Sequence, residues 1–531
     1  MSRSSRIVKQ ASILAIAGIL VRIIGVLYRS PLKAMITAEG VGYYSTAYTI
    51  YALILLISSY SIPSAISKLI AEKLAVNQYN NVQKIFKCSL IYICAIGGSA
   101  AIIAFIIAPF IVKEGSVLAL RILCPTIFLS GLLGVFRGYF QAYQTTVYTS
   151  ISQILEQIAN AIVSILAAYL FIQPFLNTPQ FESMGAAGAA VGTGAGVLVG
   201  LIFMFIMFIL RRKDLTIEND PDFYEDSYQD IFKMILNIVT PIIIATCVYN
   251  LVTTIDMYLY YFAMDFKNLN EALTVSNYGI YSGEYIVLQN VPVALASAMS
   301  TAFIPPISSS YSIRNIKQTK EHIHSAIRVT MMILIPASMG MAVLAYPIIG
   351  TIFPQKDTII TSTFLLVLGS PAITFYGLST LSNGILQAIG EVRVPLKNAV
   401  NALICHCIIV PLLLFITPLG LYSLVVGNCT YALQVCYLNQ KALKKTIHYR
   451  QEVRLTYMLP LLASVLMGII VGGTYYILFT FTRKVFIPMV LAIGIGVIIY
   501  FMIIVFLYSD HPELLDEIPY MNKITRRLQR H

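Results

Sequence analysis

Charge is what this chain has least of: Asp, Glu, Lys and Arg make up 11% of its 531 residues, against roughly a quarter in ordinary soluble domains. That scarcity, with 58% hydrophobic residues and a mean hydropathy of +0.78, excludes a conventional soluble enzyme and points to an all-α, polytopic membrane protein. Tryptophan is absent, so the 34 tyrosines must supply the aromatic anchoring at the membrane interfaces. The eight cysteines (Cys88, Cys94, Cys124, Cys247, Cys405, Cys407, Cys429 and Cys436) lie in apolar segments without metal-ligand spacing. They read as small buried side chains, and no metal is expected. No G-x-x-x-x-G-K-[ST] loop occurs, which excludes direct ATP drive, and no cofactor is called for.

Splitting the apolar runs at charged or Pro/Gly/Asn-containing breaks predicts fourteen spans, starting near residues 11, 41, 85, 117, 146, 185, 231, 274, 325, 358, 395, 420, 455 and 485. The first run is too long for a signal peptide and lacks a small-residue cleavage site, so it reads as the first span. With a cytoplasmic amino terminus, most of the 36 basic residues fall in inside loops. That asymmetry puts both termini in the cytoplasm of a plasma-membrane protein and accounts for the net charge of +12 without a nucleic-acid partner. The basic tail from Lys523 to Arg530 suits anionic membrane lipid.

The chain repeats itself. Gly42-Tyr43-Tyr44-Ser45 recurs as Gly279-Ile280-Tyr281-Ser282, Ile62-Pro63 as Ile304-Pro305, Gly138-x-x-Gln141-Ala142 as Gly384-x-x-Gln387-Ala388, and Gly185 with Gly192 as Gly420 with Gly427. Four matches in one order at a near-constant offset imply a duplication of six spans. An even span number makes the copies parallel repeats, an N-lobe (1–215) and a C-lobe (216–446) around a central cavity. Residues 447–531 then hold two extra spans and the basic tail. The glycine-rich run from Gly185 to Gly196 reads as small-residue helix packing, not a phosphate cradle.

The side chains that stand out are polar groups inside spans. Arg22 and Arg29 lie two helical turns apart in the first span, hence on one face. An arginine at mid-bilayer costs roughly 2.5 kcal/mol or more, so such residues normally face a protein interior or a cavity. Paired guanidinium groups suit an anion that takes bidentate hydrogen bonds, such as a pyrophosphate; snorkelling to one interface is the alternative. Lys68 stands four residues before Glu72 after Pro63, which allows either a surface ion pair or a cavity-facing lysine. Gln141 closes span four, and Ser152, Glu156 and Asn160 share a face of span five beside Gln153 and Gln157. That face either looks into the bundle or cements helix packing. Asp256, with Asn250 nearby, is a candidate site for a coupling proton or sodium ion, an interhelical hydrogen bond being the alternative. Glu284 lies nearer a helix end, and the lone His406 reads as a packed, hydrogen-bonded residue.

The segments Val21-Arg22-Ile23-Ile24-Gly25-Val26-Leu27-Tyr28-Arg29-Ser30-Pro31-Leu32, Ile62 to Glu72, Arg137-Gly138-Tyr139-Phe140-Gln141, Ser152-Gln153-x-x-Glu156-Gln157 and Gly384-x-x-Gln387 resemble the multidrug/oligosaccharidyl-lipid/polysaccharide (MOP) exporter superfamily. Within it they resemble the polysaccharide-biosynthesis branch of stage V sporulation protein B and the MurJ-type lipid II flippases. The resemblance implies a transporter, not an enzyme, that flips an undecaprenyl-pyrophosphate-linked cell-wall precursor by alternating access. Lipid II is the expected cargo, for peptidoglycan or spore cortex, and the protein is expected as a monomer beside the cell-wall synthesis machinery. It implies that Arg22 and Arg29 hold the diphosphate, and that Lys68 and Arg314 are the basic residues of helix two and late span eight. Another lipid-linked saccharide, or a cation-coupled multidrug exporter on the same architecture, is the alternative. Two departures stand out: Asn160 occupies a place where the branch often has arginine, and span eleven offers Asn398 and Asn401 but no acid for a sodium site. Membrane potential, protons and sodium stay open as the driving force.

Overall fold

The protein, described by a computed structural model, is resolved over residues 3–60, 62–143, 145–215 and 225–509. Its helices are α1 (Arg3–Leu55), α2 (Ile62–Ala75), α3 (Tyr79–Tyr92), α4 (Gly98–Ile111), α5 (Glu114–Ala142), α6 (Val147–Ile172), α7 (Phe181–Leu215), α8 (Tyr228–Phe266) and α9 (Glu271–Ile280). The series continues with α10 (Ile286–Ser312), α11 (Ile316–Val343), α12 (Ala345–Ile352), α13 (Ile359–Ala388), α14 (Arg393–Ile416), α15 (Tyr422–Ile447), α16 (Leu459–Thr482) and α17 (Phe486–Leu507). No strand occurs among the described residues. A bilayer explains this economy: without water, a helix satisfies its own backbone hydrogen bonds, whereas an open strand cannot.

Among the described residues, 11 helical stretches are long and apolar enough to cross a membrane. The first, Ile16–Ala75, is 60 residues long, far beyond the ~20 that one crossing needs. Its break is at Thr37, whose backbone takes φ 66° and ψ 173° in the middle of α1. The positive φ belongs to the left-handed region, which a β-branched residue enters only under tertiary constraint. The basic tail from Lys523 to Arg530 lies outside the described residues.

The chain divides into two compact units, Met1–Gly283 and Glu284–His531. In the first, α7 packs on α6 and α5, and aromatic rings fill its core: Phe86 stacks on Phe208 at 4.9 Å and meets Phe136 and Tyr139 edge-on at 5.5 and 5.1 Å. The glycine run works as packing: a Cβ on Gly188 would lie 2.5 Å from Ala168 Cα, and one on Gly192 would lie 2.4 Å from Ser164 N. Helix α9 lies against the second part of α1 at another backbone contact. A Cβ on Gly42 would lie 2.1 Å from Val275 O, and a Cβ on Gly279 would lie 2.2 Å from Ala38 O. The contact is reciprocal, each glycine facing the backbone of the other helix.

The second unit packs α10, α11, α13 and α15 around Ala296, Ile327, Leu334, Ile385 and Leu443. A separate cluster, Met467, Val471, Ala492, Tyr500 and Ile504, joins α16 and α17 to Met332 of α11. A buried amide cluster of the second unit is bonded internally: Asn439 Nδ2 donates to Ser382 Oγ and Asn383 Oδ1 at 2.9 and 2.8 Å, and Asn439 Oδ1 accepts from Asn398 Nδ2 at 2.9 Å. His406 is buried with Nδ1 3.1 Å from Gly427 O, the packed role its sequence context suggests.

Gly279→Ala should destabilise the protein by about 1–3 kcal/mol, because the new methyl meets backbone that cannot yield. Gly494→Ala, where a Cβ meets nothing within 4 Å, should be neutral or slightly stabilising. Thermal unfolding of the two variants in detergent checks this; equal midpoints would refute the close contact.

Candidate functional site: a cationic helix face inside the membrane

Arg22 and Arg29 lie two turns apart on α1, and Lys33 follows one turn further, so the three cations fall on one face. The arginines are half-buried and Lys33 is 2% exposed. Sequence reasoning passed over Lys33; its spacing of about three full turns from Arg22 is the signal that marks it.

The groups around Arg29 are phenols: Tyr28, Tyr44 and Tyr48. Along a straight helix Tyr48 would stand about 28 Å from Arg29 at 1.5 Å per residue. The break at Thr37 folds the second part of α1 back along the first and brings these rings to the arginine. Tyr44, Tyr48 and Tyr51 form a ladder at helical spacing, with ring centroids 5.8 and 5.5 Å apart. Its ends are held by Tyr44 Oη against Thr193 Oγ1 of α7 at 3.0 Å and Tyr51 Oη against Ser130 Oγ of α5 at 3.4 Å.

Helix α6 supplies the facing polar wall. Ser152 is fully buried, accepts from Arg137 Nε at 2.9 Å and donates to Thr149 O at 2.8 Å. Arg137 Nη2 donates to Glu156 Oε2 at 2.7 Å. A Cβ on Gly25 would lie 3.4 Å from Gln157 Nε2, so this wall meets α1 between Arg22 and Arg29. Tyr48 is within electrostatic range of Glu156 and joins the two halves. Arg137, which the sequence shows as a basic residue at the end of span four, thereby sets the geometry of both Ser152 and Glu156. Asn160 continues the face by accepting from Ser164 Oγ at 2.9 Å.

The remaining candidates lie elsewhere. Gln141 is half-buried in the last turn of α5. Lys68 pairs with Glu72 at 3.9 Å, both side chains more than half exposed, in the ion pair that their spacing allows. Arg314 belongs to the second unit, exposed in the turn between α10 and α11 with φ 58°. Asp256 is fully buried on α8 beside Tyr278, whereas Asn250 is exposed, so the two do not share a face. Glu284 is 1% exposed in the π-helical turn Tyr281–Tyr285, where Ser362 Oγ donates to it at 2.8 Å. It is therefore buried, not peripheral.

The site is thus a set of three cations on one face of a helix in a multi-pass bundle. The model of the family described as "Polysaccharide biosynthesis protein" matches residues 7–311, and that of the family described as MatE matches residues 284–412. The chain belongs to the polysaccharide biosynthesis protein family, whose model matches more than half of it. It is 24% identical over 510 residues to "Lipid II flippase MurJ" of Bacillus subtilis (strain 168), covering 90% of this chain and 89% of that one. It is 21% identical over 338 residues to "Stage V sporulation protein B" of the same organism, covering 61% of this chain and 62% of that one. Among solved structures it resembles "Lipid II flippase MurJ, inward closed conformation" with a TM-score of 0.70 at 16% identity, over 94% of this chain and 99% of that one. It also resembles an inward-facing multidrug resistance MATE family transporter, with a TM-score of 0.62 at 16% identity, over 81% and 99%.

The Arg137–Glu156 pair is mostly buried, so removing one partner strands the other. Arg137→Gln and Glu156→Gln should each lower stability, and a double-mutant cycle should give a coupling of about 1.5–3 kcal/mol. Unfolding midpoints of the four proteins measure it; additivity would show the pair to be energetically idle.

Proposed function

We propose that the protein flips an undecaprenyl-pyrophosphate-linked cell-wall precursor, lipid II, from the cytoplasmic to the outer leaflet by alternating access. The observation that carries this reading is Arg29 held among phenols on a membrane helix whose same face carries Arg22 and Lys33. Tyrosine hydroxyls orient a guanidinium without neutralising it, which leaves its charge for an incoming anion. A diphosphate takes bidentate hydrogen bonds from arginine and gains most where water is excluded. The Ser152, Glu156 and Gln157 wall supplies neutral and acidic groups suited to sugar hydroxyls. The saccharide headgroup, which cannot cross hydrocarbon unaided, exchanges water for these groups while the polyprenyl chain stays in lipid.

In this reading both termini are cytoplasmic, the chain crosses fourteen times, and lobes 1–215 and 216–446 move about the central path. Three observations support the count: the 60-residue stretch Ile16–Ala75 is long enough for two crossings, and α8 and α15, with 39 and 26 residues, are each long enough for one. The reciprocal Gly42 and Gly279 contact supports the two-fold relation of the lobes. Lys68, Gln141 and Arg314 serve the headgroup on the way in. Asp256 carries the coupling ion, and membrane potential favours return of the emptied cationic face, each charge being worth roughly 2.3 kcal/mol per 100 mV. The likeness to MATE transporters leaves a multidrug exporter as the second reading, and a cationic face repels the cationic drugs such an exporter would carry.

In proteoliposomes loaded with fluorescent lipid II, Arg29→Ala should cut flipping by at least about 10-fold, the worth of one charge-assisted hydrogen bond, while membrane insertion is unchanged. Arg29→Lys should keep part of the activity. Wild-type flipping by Arg22→Ala and Arg29→Ala would overturn the anion-clamp reading, and drug resistance conferred on a sensitive host would favour the exporter.

A further inference from the structure

A second arginine-bearing feature lies on the membrane surface of the first unit, outside the proposed transport face. Between α4, the π-helical turn Ile93–Gly97 and α5 runs a groove of about 480 Å³, within the ~300–1,000 Å³ typical of small-ligand sites. Cys94, Gly98, Phe105, Cys124, Pro125 and Phe128 line it, and every side chain in it is carbon or sulfur. At its rim stands Arg121 of α5, one turn before Cys124, with its guanidinium 5.1 Å from the centre of the Phe105 ring. Arg121 Nε is buried without a hydrogen-bond partner, and among the described residues no carboxylate is paired with Arg121. Arg121 lies sixteen residues before Arg137 on the same helix, about 24 Å away along it.

A guanidinium on a membrane-spanning helix needs a counter-charge, a protein interior or access to the interface. Arg121 stands about two turns in from Glu114, where α5 begins, a depth from which a long side chain reaches the headgroup layer. Ring contact with Phe105 stabilises the cation without neutralising it. We propose that the groove and Arg121 form a binding site for an anionic glycerophospholipid of the bilayer: one acyl chain fills the groove and the phosphate accepts from Arg121. The lining offers no hydroxyl, amide or carboxylate to recognise a sugar, and one arginine matches one phosphate rather than a diphosphate. Both facts separate this occupant from the lipid-linked precursor proposed as cargo.

The test is native mass spectrometry of the purified full-length chain, titrated with phosphatidylglycerol, phosphatidylcholine or undecaprenyl diphosphate, on the wild type, Arg121→Gln and Gly98→Leu. A Cβ on Gly98 meets nothing within 4 Å and the residue is helical with φ −66°, so leucine there fills the groove without disturbing the backbone. The wild type should retain phosphatidylglycerol at least tenfold better than phosphatidylcholine. Arg121→Gln should lose that preference, and Gly98→Leu should lose bound lipid of both kinds at this site. Phosphatidylglycerol should also slow alkylation of the exposed Cys94 in the wild type and not in Gly98→Leu. Equal retention of the two phospholipids, unchanged preference in Arg121→Gln with unchanged retention in Gly98→Leu, or displacement of phosphatidylglycerol by equimolar undecaprenyl diphosphate would each overturn the proposal.

Discussion

A hydrocarbon medium offers no water to a stranded polar group, and many of this protein's buried polar side chains answer to that constraint by bonding to one another. Arg137, Ser152 and Glu156 satisfy one another between α5 and α6. Asn398, Asn439, Ser382 and Asn383 do the same between α13, α14 and α15. Arg328 of α11, 3% exposed, meets Glu452, which also lies 3.8 Å from His324. Against that background the cationic face of α1 stands apart: at Arg29 it is furnished with phenols, which bind and orient a cation but leave its charge intact.

Backbone proximity is the second organising device. Where helices must approach more closely than side chains allow, the chain has glycine, as at Gly188 and Gly192 between α6 and α7 and at Gly42 and Gly279 between α1 and α9. In a membrane, where lipid is as apolar as leucine, such close packing supplies much of the attraction between helices.

Much of this was legible in one dimension. A membrane helix shows itself by a run of apolar residues and small residues mark close packing, so the all-helical membrane fold and the packing role of the Gly185 to Gly196 run could be read directly, though not which helix it packs on. Arg22 and Arg29 stood out because charge in such runs is rare. Lys33, Arg137 and the Tyr44, Tyr48 and Tyr51 ladder did not stand out. Lys33 lies near the end of the first apolar run, Arg137 sits near a helix end, and tyrosine is too common here to mark a site. Glu284 read as lying nearer a helix end, whereas in the structure it sits buried in the π-helical turn Tyr281–Tyr285, a local geometry that residue spacing does not reveal.

The sequence by itself determined the helical secondary structure and the membrane class, because both rest on short-range periodicity or on composition, and it set Arg22 and Arg29 on one face of α1 by their spacing. Only the tertiary structure decided which groups meet that face. The nearness of Tyr48 to Arg29 depends on the break at Thr37, and the ion pair of Arg137 with Glu156 depends on how α5 and α6 lie together. Neither follows from spacing along one helix, since side chains distant in sequence become neighbours only when the backbone turns and packs.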